Sequence, residues 1–366
     1  MQQAHMSKNK KPKIAVYAIS KNEEKFAERC VASAAEADLF VLADTGSTDS
    51  TVKKSRKAAK GIGLDISVHD ICVSPWRFDK ARDAALCLVP RDIDVCVSID
   101  LDEILQDGWR QEIERLWKPG TTRMRYMFQW SEHKKFYASK IHSRHGYHWH
   151  HPCHEYIRSD GRITESVVST DKLLIVHDQD RDKSRSQYLD LLELSVKEDP
   201  RCPRNAFYYG RELHYVGRKA DCIRQLKKFL DMPEATWNVE RAYAMRLIGI
   251  NTDDKAARSS MFHAAIAEDP GSMESHLMLA EDAFRESKSV QCLSSAESAC
   301  ECNFRGLYVD DMSRKWRAHD LAAISAYHLG AFRLAVQHGV LAVGLRPGDE
   351  RLAKNLRMYE EKARAG

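Results

Sequence analysis

Four residues near position 100 have types and spacing that could do chemistry: Asp100-Leu101-Asp102-Glu103. They close the run Asp94-Val95-Cys96-Val97-Ser98-Ile99, whose nearly continuous apolar character is that of a strand buried on both faces of a parallel sheet. Acid placed there would stand at the carboxyl end of a central strand, where open α/β sheets bind their ligands. Two carboxylates one residue apart suit a hard divalent cation, Mg2+ or Mn2+, which takes oxygen ligands and is commonly shared with substrate phosphates. A plainer reading is that Asp102 and Glu103 open the helix that runs through Trp109 to Trp117, since acids favour a helix N-terminus. On these residues alone the two readings stand side by side.

The elements that must position such a group lie on both sides of it. Ile14 to Ile19 reads as a strand, followed by Ser20-Lys21-Asn22-Glu23-Glu24 and a helical pattern to Ala37. Leu39 to Ala43 reads as a second strand, leading through Asp44-Thr45-Gly46-Ser47-Thr48-Asp49 into a lysine-rich helix that ends near Lys60. In that loop Gly46 and Ser47 also read simply as turn residues. A third strand spans Ile66 to Ile71, and a helix over 76–88 precedes the strand at 94–99. Strands alternating with helices predict a parallel, doubly wound sheet. After Pro119-Gly120 the pattern turns to β, with Arg123 to Trp130 and Lys172 to Val176 as the clearest strands; from about Asp182 onward only helical periodicity remains.

The helical half is repetitive. Pro200, Pro233, Pro270 and Pro347 are spaced by 33, 37 and 77 residues, about one, one and two units of a helix-turn-helix repeat. Gly330, Ala335, Ala342 and Pro347 fall on the small-residue and terminal-proline positions of a tetratricopeptide repeat, and Gly217, Cys222, Phe229 and Pro233 follow the same pattern less closely. This predicts an α/β domain over 13–180 followed by an all-α tetratricopeptide-like solenoid over 181–366. Residues 1–12 are set apart, with 1–5 read as a leader and Lys8 to Lys13 as a basic arm.

Composition narrows the function classes. With 366 residues, 43% hydrophobic and 30% charged, the chain exceeds one ordinary core and implies two domains or more. It contains no apolar run long enough to span a bilayer, and no signal-peptide pattern opens it, so a cytoplasmic protein is expected. The net charge of +4 is well below that of a strong nucleic-acid binder. Ten cysteines without a Cys-x-x-Cys pair exclude a zinc ribbon and a thioredoxin-type motif, and fit reduced thiols. Cys300 and Cys302, one residue apart in a helix, point away from each other and read as packing residues.

Four blocks in order, Ala18 to Glu24, Ala43 to Thr51, Phe78 to Leu86 and Asp100 to Glu103, resemble family 2 glycosyltransferases of the GT-A fold, a Rossmann-like, mostly parallel α/β sheet. The helical half, through Asp199 to Tyr209 and Ala323 to Tyr327, resembles the tetratricopeptide-like extension of a bacterial and phage subgroup. The resemblance implies transfer of a sugar from a nucleotide-sugar, usually a UDP-sugar, to an acceptor hydroxyl with inversion. It implies that Asp102 ligates Mn2+ or Mg2+, and that Asp100 lies near the ribose or a metal-bound water. Ala18, Ser20 and Glu23 would line the nucleotide, and Asp44 would accept the imino hydrogen of the base. Arg82 matches the arginine of the family's Phe-x-x-Ala-Arg-Asn element, in which Asp83 here replaces Asn. Pro152-Cys153-His154-Glu155-Tyr156 resembles the His-Glu form of the element carrying the catalytic base, assigned to Glu155. His177 fits the place of a further metal ligand, with His154 as the rival.

The acceptor stays open. It could be a peptide or protein side chain, a glycan, or a hydroxymethylated base of phage DNA, the last drawing on Lys53 to Lys57, His133 to Lys135 and Arg314 to Arg317, which also read as solvated faces. The histidines from His142 to His154 fit no fixed zinc spacing. They read as a polar acceptor-site wall with Trp149 as a stacking platform, or as a solvated loop. A reading of another class is a non-catalytic tetratricopeptide interaction scaffold.

Overall fold

The computed structural model describes residues 11–132, 134–178, 188–303 and 312–365, so the expected leader and the first half of the basic arm lie outside the described residues. The chain divides into two compact units, Met1–Ser195 and Val196–Gly366. The expected boundary at 180/181 falls within 179–187, also outside the described residues. The N-terminal unit is built on a sheet and the C-terminal unit is all-helical. No described helix is long and apolar enough to cross a membrane.

In chain order the first unit contains β1 (Ile14–Ser20), α1 (Ala27–Ser33), β2 (Leu39–Asp44), α2 (Thr51–Ile62), β3 (Ile66–Asp70), α3 (Phe78–Leu88), β4 (Val95–Ser98), β5 (Glu103–Leu105) and α4 (Trp109–Leu116). It continues with β6 (Arg123–Ser131), β7 (Lys134–Ser143), β8 (Tyr147–His150), β9 (Tyr156–Ser159) and β10 (Val167–His177). Eight strands form one sheet in the order β3-β2-β1-β4-β7-β6-β10-β5, and β8 pairs with β9 separately.

The strands β3, β2, β1 and β4 are mutually parallel, as the alternation of strands and helices predicts. Beyond β4 the sheet is mixed: β7 runs antiparallel to both β4 and β6, β10 is parallel to β6, and β5 is antiparallel to β10. Chain length explains the change, because a parallel neighbour needs a crossover of a dozen or more residues and only two separate β6 from β7. The reading of Asp102 and Glu103 as a helix start is also corrected. Glu103–Leu105 pairs with β10 as a strand, and the helix begins at Trp109.

Both faces of the parallel strands are covered. Ile14, Val16, Phe40, Leu42, Val95 and Val97 pack on one side against α1, α2 and α4, while their neighbours Ala15, Tyr17, Val41, Ala43 and Cys96 pack on the other against α3 and the β8–β9 pair. Successive side chains point to opposite faces, so a strand covered on both must be apolar throughout.

The second unit pairs its helices. After α5 (Tyr188–Glu198), which spans the division, come α6 (Pro203–Tyr215), α7 (Lys219–Leu230), α8 (Asn238–Asn251), α9 (Lys255–Glu268), α10 (Met273–Arg285), α11 (Ser289–Glu301), α12 (Lys315–His328), α13 (Phe332–Leu345) and α14 (Glu350–Ala365). Gly217 and Gly330 take φ +75° and +77° in the turns that join α6 to α7 and α12 to α13, and Ser287 holds the corresponding left-handed position between α10 and α11. Cys222, Phe229, Ala335 and Ala342 are buried where the paired helices meet. At one crossing Gly249 of α8 lies so close to Phe262 of α9 that a Cβ would come within 2.6 Å of the ring.

Candidate functional site

Strand direction decides where the acids gather. Because β7 opposes β4 and β6, and β10 runs with β6, the carboxyl ends of β1, β2, β4, β6 and β10 all fall on one edge of the sheet. That edge carries Ser20, Asp44, Asp100, Asp102, Trp130 and His177. Sequence spacing placed the first four there; only the strand order brings His177 to them.

At its centre is a chain of charges. Arg82, on α3, donates from Nη2 to Asp100 Oδ1 at 2.6 Å and from Nε to Glu155 Oε1 at 2.5 Å. Lys140, on β7, donates to Glu103 Oε1 at 2.7 Å and to Asp100 Oδ2 at 3.3 Å, while Glu103 Oε2 accepts the Asp100 backbone N–H at 3.1 Å. Burial acts to raise the Asp100 carboxyl, but Arg82 and Lys140 outweigh it and hold the group well below the usual carboxylate range. Glu103 goes the other way: burial, with the Asp100 and Asp102 charges behind it, pushes it up to about 7 despite Lys140. Burial also disfavours the charge on Lys140, yet Asp100 and Glu103 raise it above its ordinary value. Both oxygens of Asp100 are engaged by cations, which makes it a partner of Arg82 and Lys140.

Asp102 is differently placed. Its Oδ2 faces His177 Nε2 at 3.3 Å, close to the separation of about 3 Å between adjacent donor atoms in an octahedral Mg2+ or Mn2+ site. The His177 ring lies 4.4 Å from that of Trp130 and 6.1 Å from that of Phe128. Among the described residues no hydrogen-bond partner reaches the buried His177 Nδ1. One carboxylate and one imidazole are few ligands for an ion held by protein alone. They fit a hard ion that substrate phosphates help to hold.

Asp44 closes its own loop. Oδ1 accepts from the Ser20 hydroxyl at 2.7 Å and the Ser47 hydroxyl at 2.6 Å, and Oδ2 from the Ser47 and Gly46 N–H groups at 2.7 and 3.1 Å. Burial would raise this carboxyl, but the bonds from Ser47, Ser20 and Gly46 hold it below its ordinary value. Four donors fill the roughly four acceptor positions of a carboxylate, so a base edge could be read by Asp44 only if Ser47 or Gly46 released it. Glu23 and Ala18 belong to the same corner: the Glu23 N–H donates to Thr51 Oγ1 at 2.7 Å, and Ala18 is fully buried within β1.

The histidine-rich stretch is corrected in two respects. Trp149 is no stacking platform, being 3% exposed with Nε1 donating to Tyr17 Oη at 2.9 Å and the Arg82 guanidinium 4.9 Å from its ring. His142 belongs to the core, 2.9 Å from Tyr17 Oη, and burial pushes it down to about 4. His154 takes φ +51° beside Glu155, its ring 6.0 Å from Tyr188. Lys140 and Trp130 were missed by sequence reading. Trp130 is 42% exposed beside His177, and its only signal was the alternation of Phe128 and Trp130 along β6. Lys140 gave no signal, because nothing in a strand sequence reveals which carboxylates lie across it.

No protein-family model matches the chain, and no curated protein matches it. The chain is similar to several solved tetratricopeptide structures. MamA shows 18% identity over 46% of this chain and 91% of its own, with a TM-score of 0.36. YrrB, described as a tetratricopeptide protein with an unusual peptide-binding site, shows 12% identity over 48% and 85%, at 0.40. PilF of Pseudomonas aeruginosa shows 14% over 47% and 72%, at 0.38. The assignment to a family 2 glycosyltransferase fused to tetratricopeptide-like repeats is therefore corrected: the solved neighbours are of the tetratricopeptide type, and no family model supports a glycosyltransferase family. Short strand-end blocks such as Asp44 to Asp49 and Asp100 to Glu103 fit many parallel-sheet turns, so they carry a site more readily than a family.

Proposed function

We propose that the sheet unit is a GT-A-type nucleotide-sugar domain that moves a sugar, with inversion, from a nucleotide-sugar such as a UDP-sugar to a hydroxyl on a peptide, protein or glycan. The observation that carries this reading is the gathering of Asp102, His177, Asp100, Arg82 and Glu155 on the carboxyl edge of one sheet. Asp102 and His177 would hold Mn2+ or Mg2+. The ion, when bound, supplies neutralisation of the charge that develops on a leaving diphosphate. Arg82 fixes Oε1 of Glu155, which leaves Oε2 to take the proton of the incoming hydroxyl. Asp100 holds Arg82 from its other side, so the base and the acidic strand end keep their spacing through one guanidinium. Trp130 offers an exposed ring beside His177 on which a sugar face can stack.

Release of the nucleotide diphosphate from a panel of nucleotide-sugars, with and without Mn2+, tests the reading. Asp102→Ala is expected to abolish metal-dependent donor binding. Glu155→Gln is expected to keep donor binding and lower turnover by about 10²–10⁴-fold. If no donor is bound or hydrolysed with any metal, the enzyme reading fails; if Glu155→Gln keeps full turnover, another group is the base.

A further inference from the structure

The helical unit holds a cluster that the strand-end site does not use. Cys300 near the end of α11, His319 on α12 and His338 on α13 lie nineteen residues apart in turn, which brings them to one level on three successive helices. Cys300 Sγ lies 3.3 Å from His319 Nδ1, His319 Nδ1 lies 3.0 Å from His338 Nδ1, and one ligand atom from each of the three residues falls within 4.8 Å of the others. A neutral imidazole nitrogen has one lone pair or one proton. His319 Nδ1 nevertheless faces two polar partners at once in a mostly buried place, and one shared ion would satisfy all three.

We propose that Cys300, His319 and His338 form a zinc site with one coordination position left open. One sulfur and two nitrogens suit Zn2+ and disfavour the hard ions expected at Asp102. Zn–N and Zn–S bonds of about 2.0–2.1 and 2.3 Å span tetrahedral edges of roughly 3.4 Å between nitrogens and 3.6 Å between nitrogen and sulfur. The observed separations are a few tenths of an ångström shorter, an opening that side-chain torsions can supply. Behind the cluster, His338 Nε2 faces Glu297 Oε1 at 3.8 Å, an electrostatic contact longer than a hydrogen bond and the usual outer partner of a ligating histidine.

The His319 imidazole is ready to ligate, whereas the Cys300 thiol has to give up its proton. Burial, then the neighbouring His338 and Lys315, pushes His319 down to about 4, so its ring is neutral and able to ligate at pH 7. Burial pushes the Cys300 thiol up to about 12, so the bound ion must displace its proton to solvent. Filling the site would tie α11, α12 and α13 together independently of any chemistry on the sheet.

The test uses the full chain carrying Asp102→Ala, stripped of metal and titrated with Co2+. One equivalent is expected to raise a near-ultraviolet thiolate-to-cobalt band with the strong visible bands of a four-coordinate site, and Zn2+ should bleach both. Cys300→Ser should lose the thiolate band, His338→Gln should weaken Co2+ binding tenfold or more, and Cys302→Ser should change neither. Absence of the band at one equivalent, or its survival in Cys300→Ser, overturns the proposal. On the unmutated chain, Zn2+ should slow alkylation of Cys300, read by peptide mass spectrometry, by tenfold or more; equal rates with and without Zn2+ also overturn it.

Discussion

Replacing Lys140 by Met keeps the volume of the stem and removes the cation between the buried Glu103 carboxylate and the half-buried one of Asp100. Glu103 loses the donor at 2.7 Å and Asp100 the one at 3.3 Å; Glu103, 2% exposed, cannot turn to water, whereas the half-buried Asp100 keeps its bond to Arg82. Removing one partner of a buried ion pair costs about 3–5 kcal/mol. The Lys140 side chain is 23% exposed, which places the cost at the lower end, about 3 kcal/mol. With a slope of roughly 2 kcal/mol per molar, the urea midpoint of the sheet unit should fall by about 1–2 M at pH 8. Tryptophan fluorescence reports that unit, because Trp76, Trp109, Trp117, Trp130 and Trp149 lie in it and only Trp237 and Trp316 lie outside. Adding Glu103→Gln removes the stranded acid, so the double variant should recover at least ~2 kcal/mol relative to the sum of the single costs. If the two costs add to within about 0.5 kcal/mol, the charges are not coupled and the account of the strand-end network is wrong.

Three further outcomes follow from particular contacts. His142 is held down to about 4 from 6.5, so its contribution to stability is complete above 6.5 and is lost as the pH falls towards 4, because the unfolded chain then binds a proton that the folded chain refuses. A shift of that size corresponds to about 3 kcal/mol, and His142→Gln should flatten the acid limb of a stability–pH curve between pH 6.5 and 4; an unchanged limb assigns it to other groups. Gly249→Ala should destabilise the helical unit by about 1–3 kcal/mol in thermal unfolding, since its Cβ would meet the buried Phe262 ring, and Phe262→Leu should restore part of the loss. Ser47→Ala removes a 2.6 Å bond to Asp44 and should raise the pKa of that carboxyl, measurable by carbon-13 titration; no change would mean that the Ser20 hydroxyl and the backbone donors hold it without Ser47 Oγ.

Much of the fold was legible because local patterning determines it. Nearly continuous apolar runs marked β1, β2 and β4 as strands buried on both faces, and small residues at repeat offsets marked the helix pairs around Gly217 and Gly330. The mixed half of the sheet was not legible, because β8 and β9 are four residues each and the aromatic and histidine side chains of β7 to β9 are buried or exposed according to what lies across from them. Trp149 and His142 show this directly: both look like surface polar or aromatic groups in sequence, and both are core partners of Tyr17. The family assignment failed for a related reason, since it rested on turn blocks whose geometry many parallel strand ends share.

By itself, the sequence determined that acids terminate an apolar strand and that helices repeat to the end of the chain, because hydrophobic period and turn chemistry act between near neighbours. Only the tertiary structure decided that His177 stands against Asp102, that Lys140 and Arg82 divide the acids between them, and that Cys300, His319 and His338 converge. Those meetings depend on strand order and helix stacking, which join residues 18 to 75 positions apart through contacts that no local pattern encodes.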